Sequence, residues 1–395
     1  MNKSTEQVSS IKKEMKQNKS KQLRFFEDDK PKQFVDEVVV LNKEIFTDTL
    51  KKIRIDDFSS LKREIAALLN VITNTAEDET GILSHSSGKN HQNTISRRKD
   101  VFISELLQIL DSRTIERAQY YLKRLERGIN TTKTSTINDI NLSRWKEYDN
   151  IETKSLWVLD KRDTSGAHLG WYWGNFIPQI PNQMMLRYTK RYDWVLDTFL
   201  GSGTTLIECR ILGRNGIGIE LNPEVTEKAR ELIEQEPNDD NVVTNAITED
   251  SRNVDIKEVL MRHNIKSVQL LIMHPPYHDI IKFSDDPRDL SNAENVEDFL
   301  RMFGEVVDNA TPFLDKGRYL ILVIGDKYTR GEWVPLGFYC MNEIKKRGYT
   351  LKSIVVKNFD ETRGKRSQKE LWKYRALVGG FYIFKHEYIM LFKKL

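Results

Sequence analysis

Asp197-Thr-Phe-Leu-Gly-Ser-Gly-Thr-Thr205 is the stretch from which the fold is read. Before it, Tyr192-Asp-Trp-Val-Leu is a short apolar run closed by the acid Asp197; after it, Leu206-Ile-Glu-Cys-Arg-Ile-Leu-Gly-Arg has helical spacing. A strand, a glycine turn and a helix therefore follow one another. Gly201 and Gly203 carry no Cβ, so the backbone can turn tightly there and approach a ligand closely. The amides that open the following helix face whatever the turn holds. Spacing then separates the ligands. A phosphate-cradling loop ends in Gly-Lys-Ser/Thr, which is absent. A dinucleotide fingerprint needs a third glycine where Leu206 stands. What remains is Asp-x-Phe-x-Gly-x-Gly-Thr-Thr, with Glu220 closing the next apolar run, Gly216-Ile-Gly-Ile-Glu220.

Downstream, strand and helix patterns alternate. Glu224 to Glu236 reads as a charged helix, and Asn241-Val-Val-Thr-Asn-Ala-Ile247 as a third strand leading to Asp250. Lys266-Ser-Val-Gln-Leu-Leu-Ile-Met273 is the kind of run that a strand buried on both faces requires, and it ends at His274-Pro-Pro-Tyr277. An amphipathic helix follows over Phe299 to Leu314, then strands at Arg318–Gly325, Leu351–Lys357 and Glu387–Lys393, the last expected to run antiparallel. The turns and the His-Pro-Pro-Tyr segment all fall at strand C-terminal ends, where open α/β sheets bind ligands.

The glycine loop with Glu220 resembles the S-adenosylmethionine loop of class I methyltransferases, in particular the DNA amino-methyltransferases acting on adenine N6 or cytosine N4. The resemblance covers about residues 165–395 and implies a seven-stranded, mostly parallel Rossmann-like sheet. It implies that Asp197, Phe199, Gly201, Gly203 and Thr204 form the cofactor turn, that Glu220 holds the ribose hydroxyls, and that Asp250 bonds the adenine amino group. Asn175-Phe-Ile-Pro-Gln-Ile-Pro181 looks like the family's extra cofactor-side motif, with Phe176 covering the methionine end; core packing explains the same residues equally well.

His274, Pro275, Pro276 and Tyr277 resemble the family's Asp/Asn/Ser-Pro-Pro-Tyr catalytic motif. A base amine is a poor nucleophile because its lone pair is delocalised into the ring. Two acceptors, the Pro275 carbonyl and the side chain at the first position, can grip its hydrogens. The prolines fix φ, and the Tyr277 ring can stack on a base removed from the duplex. Methyl transfer then needs only in-line positioning, with no metal and no covalent intermediate implied. The histidine departs from the family. Neutral imidazole accepts one hydrogen bond through its bare nitrogen, whereas imidazolium accepts none. The departure leaves open adenine against cytosine, with adenine preferred, and leaves an inactive cofactor and nucleic-acid binder as one alternative. RNA and protein-glutamine methyltransferases share similar motifs, so an RNA base amine is another. The resemblance points to double-stranded DNA with a flipped base as partner, in restriction-modification or as an orphan methylase. A cognate restriction enzyme or a homodimer are the protein partners to look for.

The chain has 395 residues, 39% hydrophobic and 30% charged, which suits a globular protein of one or two domains. No apolar run reaches the ~20 residues of a membrane span, and the N-terminus has no apolar signal core, so a cytoplasmic location is the default expectation. Cys209 and Cys340 suggest neither a disulfide framework nor a metal cluster. Net charge is only +4, but from Cys340 onward fourteen Lys/Arg face five Asp/Glu, a positive field suited to a polyanion. Within it, Arg363-Gly-Lys-Arg-Ser-Gln-Lys-Glu-Leu-Trp-Lys-Tyr-Arg375 interleaves bases with aromatics, as a phosphate-gripping loop would. Lys365, Arg366, Trp372 and Arg375 are the candidates there. Tyr328 and Trp333, in Gly325-Asp-Lys-Tyr-Thr-Arg-Gly-Glu-Trp-Val-Pro335, are candidates at the pocket rim. A surface hairpin is the plain alternative for each segment. Residues 1–33 read as a basic arm, and helical spacing covers most of the chain to Gly128, with a polar loop carrying His85 and His91. The expected division is a helical N-terminal region, 1–141, for recognition or assembly, and a catalytic domain, 142–395.

Overall fold

The computed structural model describes residues 37–53, 55–74, 80–84, 93–159, 161–359 and 369–395. The basic arm, His85, His91, Lys365 and Arg366 lie outside the described residues. The described residues divide into two compact units, 37–134 with 141–149, and 135–140 with 150–395.

The first unit opens with β1 (Val38–Asn42), followed by α1 (Lys43–Lys52) and α2 (Phe58–Thr73). Then come β2 (Thr94–Arg98), α3 (Lys99–Leu110) and α4 (Ile115–Asn130). Helical spacing puts Leu61, Ile65, Leu68, Leu69 and Ile72 on the buried face of α2, where they pack with Phe102, Leu106, Leu122 and Leu125. Asp57 caps α2 by accepting from Ser59 N and Ser60 N, and Thr114 caps α4 through Arg117 N. The antiparallel β1–β2 pair is a feature that helical periodicity does not reveal. Val38-Val39-Val40 favours a strand, but its partner Thr94–Arg98 is polar and lies more than fifty residues on.

The second unit carries β3 (Leu156–Trp157), α5 (Gln179–Tyr188), β4 (Trp194–Asp197), α6 (Thr204–Leu212), β5 (Asn215–Glu220), α7 (Pro223–Gln235) and β6 (Thr244–Thr248). It continues with α8 (Ile256–Met261), β7 (Val268–Met273), α9 (Val296–Ala310), β8 (Leu314–Ile324), β9 (Lys327–Thr329) and β10 (Glu332–Val334). The last elements are α10 (Leu336–Lys346), β11 (Thr350–Asn358), α11 (Lys369–Gly379) and β12 (His386–Lys393). The main sheet has the order β3-β11-β12-β8-β7-β4-β5-β6. Strands β4 to β8 pair in parallel, whereas β12 is antiparallel to both β11 and β8. The seven expected strands are all present in a Rossmann-like α/β fold, and the two-residue β3 adds an eighth at the edge.

Strand period decides which residues meet which layer. Leu196, Leu271, Leu320, Leu322 and Met390 pack on the side of Val259, Phe299, Phe303 and Cys340. Val195, Leu270, Ile272, Ile321 and Ile389 pack on the side of Met184, Leu206, Cys209 and Leu232. Both faces are covered, which is why these strands read as continuous apolar runs. From β4 the sheet grows outward through β5 to β6; β7 then returns to the other side of β4. The crevice at such a reversal is where an open α/β sheet binds its ligands.

Gly218 on β5 sits against the turn that follows β4: a Cβ there would lie 2.5 Å from Leu200 Cδ1. Gly218→Val should therefore destabilise the full chain by about 1–3 kcal/mol, the cost of overpacking a filled core. The check is the urea midpoint, which should fall at constant slope; an unchanged midpoint would refute the packing account.

Candidate active site

The turn after β4 is built from its buried acid. Asp197 is fully buried; its Oδ1 accepts from Phe199 N at 2.9 Å and its Oδ2 from Thr205 Oγ1 at 2.5 Å. Burial pushes its carboxyl up to about 6 against those two bonds. Asp197 thus braces the turn from beneath and is not part of the cavity wall. Gly201 has φ +52° and donates from N to Glu220 Oε2 at 2.9 Å; a Cβ there would meet the Tyr172 ring at 3.2 Å. Gly203 has φ +84°, and the space a Cβ would need is filled by Ile233 and Ala229 of α7. Of the two glycines, Gly201 therefore borders the cavity, while Gly203 serves the packing of α6 on α7. Thr204, also behind the wall, donates from Oγ1 to Asn175 Oδ1 at 2.9 Å.

Glu220 closes β5 and lines the cavity. Its Oε1 accepts from Asn222 N at 3.0 Å and its Oε2 from Gly201 N, so each oxygen keeps a further lone pair. Burial pushes this carboxyl up. Asp250 also lines the cavity but is gripped by Arg252, with Nη2 at 2.8 Å from Oδ2 and the backbone N at 2.9 Å from Oδ1.

The second motif follows β7. The parallel pairing of β4 with β7 sets Asp197 beside Ile272, and Thr198 N donates to Ile272 O at 3.2 Å. The glycine turn and His274-Pro-Pro-Tyr277 consequently border one cavity of about 850 Å³. Phe176, Phe199, Gly201, Glu220 and Asp250 line it together with His274, Pro275, Pro276 and Tyr277. Phe176 is buried with its ring centroid 4.8 Å from that of His274, so one side chain serves both core and wall. Past the motif, His278 (φ +53°) is fixed by Lys327 Nζ at 2.7 Å from Nδ1, with Lys327 also bonded to Asp279.

Around His274 the structure adds two residues that the sequence does not single out. Tyr277 Oη lies 3.3 Å from His274 Nε2 and donates to Glu387 Oε2 at 2.8 Å. Glu387 Oε1 accepts from Lys357 Nζ at 2.9 Å; the two are buried cross-strand partners on β12 and β11. Burial opposes the Glu387 charge, but Lys357, His274 and the hydrogen bonds from Lys357 and Tyr277 hold the carboxyl below its ordinary range. Burial pushes His274 down to about 4, Glu387 opposing this and Lys357 adding to it. Burial and the Glu387 charge push the Tyr277 hydroxyl up, so it keeps its proton. An acid on one strand and a lysine thirty residues earlier give no signal in sequence; only the β11–β12 register joins them.

The far wall is aromatic, with Phe359, Trp372, Phe384 and His386. Trp372 lines the cavity and the exposed Arg375 lies over its ring at 5.3 Å. Tyr328 and Trp333 sit opposite each other on the β9–β10 hairpin, outside the cavity lining. Their rings pack on Phe381 and Phe384 at 4.4 and 4.2 Å, and Trp333 Nε1 donates to Asp326 Oδ2 at 3.0 Å. The pocket-rim expectation for this pair gives way to a hairpin that buttresses the aromatic wall.

Among the described residues no group of His, Cys, Asp or Glu is placed to hold a metal ion, and no helix is long and apolar enough to cross a membrane. Three curated relatives share short segments with the chain. It is 44% identical over 67 residues to the type II methyltransferase M.MjaII of Methanocaldococcus jannaschii, covering 17% of this chain and 13% of that protein. It is 34% identical over 90 residues to M.Cfr9I of Citrobacter freundii, covering 23% and 28%. It is 37% identical over 81 residues to M.XycI of Xanthomonas campestris pv. cyanopsidis, covering 20% and 26%. The matched segments thus span less than a third of each relative's length. The profile of the N6/N4-type family described as DNA methylase matches residues 3–231, more than half of the sequence, and the chain belongs to that family.

Proposed function

We propose that the chain transfers a methyl group from S-adenosylmethionine to the exocyclic amine of a base turned out of duplex DNA, adenine N6 before cytosine N4. The observation that carries this reading is the meeting of the glycine turn and His274-Pro-Pro-Tyr277 on one cavity at the sheet's reversal. The relatives' type II methyltransferase names support a restriction-modification or orphan-methylase role.

The donor set fits the cofactor. Glu220 keeps one lone pair on each oxygen, as two neighbouring ribose hydroxyls require. Asn175 Nδ2 and Thr198 Oγ1 are buried without a hydrogen-bond partner, and both residues line the cavity, ready for a polar ligand. Asp250, oriented by Arg252, is the acceptor for the adenine amino group, and Phe176 and Phe199 supply apolar contact. When bound, the cofactor supplies a methyl group made electrophilic by its sulfonium. The chain's own part is to hold the target amine with its lone pair free. Pro275 O and the neutral His274 ring each accept one amine hydrogen, and Tyr277 packs on the base. A nitrogen that has gained a methyl group must shed a proton, and in this reading the neutral His274 ring takes it.

Calorimetry should show S-adenosylmethionine binding to the full chain, weakened by Glu220→Ala roughly tenfold or more as charge-assisted bonds to the ribose are lost. Labelled methyl groups should pass to duplex DNA. Transfer to RNA alone would move the substrate class, and cofactor binding without transfer would reduce the protein to a binder.

Because His274 is held down to about 4, it is neutral, and an acceptor, at physiological pH. At saturating cofactor, single-turnover methylation should show an acid limb as pH drops through about 4, set by His274 and separate from any loss near 6, where Asp197 titrates. His274→Asn should keep part of the activity and lose that acid limb, and His274→Leu should be nearly inactive yet bind cofactor. A fully active His274→Leu enzyme would remove the residue from the mechanism.

Neutralising Lys365, Arg366 and Arg375 together should weaken DNA binding and flatten its salt dependence, by roughly 0.9 in log–log slope for each phosphate no longer neutralised. An unchanged slope would leave the basic segment without a role in DNA binding.

A further inference from the structure

We propose that Glu387, anchored by Lys357, is a positioning residue that acts through Tyr277 to fix the tautomer of His274, so that Nδ1 is the ring's acceptor toward the cavity. The proposal rests on the reading of His274 as the acceptor for the target amine, and it follows from counting protons along one chain of contacts. Glu387 is buried and ionised, with Lys357 Nζ 2.9 Å from Oε1, so it brings no proton of its own. Tyr277 Oη stands 2.8 Å from Oε2 and has one hydrogen, which must therefore go to the carboxylate. Toward His274 Nε2, 3.3 Å away, the same oxygen can then only accept. Nε2 must carry the hydrogen, and Nδ1 is left bare. Without the carboxylate, Tyr277 could donate to Nε2 instead, and Nδ1 would carry the hydrogen and cease to be an acceptor.

Packing holds the geometry. The Phe176 ring lies against His274 at 4.8 Å, and the Tyr277 ring meets it edge-on at 5.7 Å. Gly325 at the end of β8 leaves no room for a Cβ, which would come within 2.7 Å of the Tyr277 ring. The charge arrangement also suits the end of the reaction. When the methylated amine gives its proton to Nδ1, the new N–H bond makes an imidazolium, and Glu387 faces it across the Tyr277 hydroxyl. Burial, with Lys357 adding to it, keeps the ring from being protonated before transfer. The family position otherwise held by Asp, Asn or Ser is thus served by a histidine whose acceptor atom is chosen by a residue 113 positions away.

The test is nitrogen NMR of the full chain labelled at histidine, without cofactor or DNA, so that it stands apart from activity. His274→Asn identifies the signals by their loss. At pH 7 the wild-type ring should show a protonated Nε2 and a bare Nδ1. Tyr277→Phe keeps the Lys357–Glu387 pair and the aromatic ring, and should give a mixture of tautomers. Glu387→Gln should do the same, with Lys357→Met added if the unpaired lysine prevents folding. In both variants methyl transfer should drop roughly ten- to a hundredfold, the range for partners that orient a histidine, while cofactor affinity holds. A wild-type ring protonated at Nδ1, or variants that leave the tautomer unchanged, would overturn the proposal. A correct tautomer with no transfer to DNA would support the relay and sink the methyltransferase reading instead.

Discussion

The pairing of β4 with β7 is the constraint on which the site depends. In sequence the two strands are separated by β5, β6 and three helices, yet Asp197 ends up beside Ile272. That register brings two strand ends together, and each ends in chemistry: one in a glycine turn, the other in His274-Pro-Pro-Tyr277. A parallel pair of this kind needs long crossovers, and the helices that form them cover both faces of the sheet. Burial of the strands, the crevice above them and the meeting of the motifs are consequences of one topology.

Burial at that crevice then sets the ionisation of the groups around it. Asp197 is kept neutral more readily than an ordinary carboxyl, and it spends both oxygens on the turn. His274 loses its charge to the same desolvation. Glu387 is the exception, because Lys357 is placed directly across the strand pair. A buried ion pair is weak evidence for stability, since desolvation offsets much of its attraction. Its position beneath Tyr277 gives it a different use, orienting a neutral acceptor without charging it.

A second polar knot supports the aromatic wall. Asp326, at the end of β8, accepts from Trp333 Nε1, Gly337 N and the Tyr388 hydroxyl. The hairpin carrying Tyr328 and Trp333 is therefore tied to the sheet, and its rings stiffen the Phe381–Phe384 segment beside the cavity. Tyr328 and Trp333 thus stand beside the cavity and not in its lining.

The sequence by itself determined the seven strands, the turn at Gly201 and Gly203 and the His-Pro-Pro-Tyr motif, because each is a local pattern of spacing and conformational freedom; the mostly parallel sense came only with the family resemblance. It also placed Glu220 and Asp250 at strand ends. What only the tertiary structure decided are the relations between distant segments. Sequence could not show that Gly203 packs against Ile233, or that Asp250 is gripped by Arg252. Nor could it pair Val38–Asn42 with Thr94–Arg98, since a strand's partner is chosen by register and not by its own residues. The Lys357–Glu387–Tyr277–His274 chain is the clearest case. Its four residues come from three segments, and each alone is an ordinary strand or motif residue. The physical reason is that hydrogen-bond direction and pKa depend on neighbours within a few ångströms, and the sheet, not the chain order, supplies those neighbours.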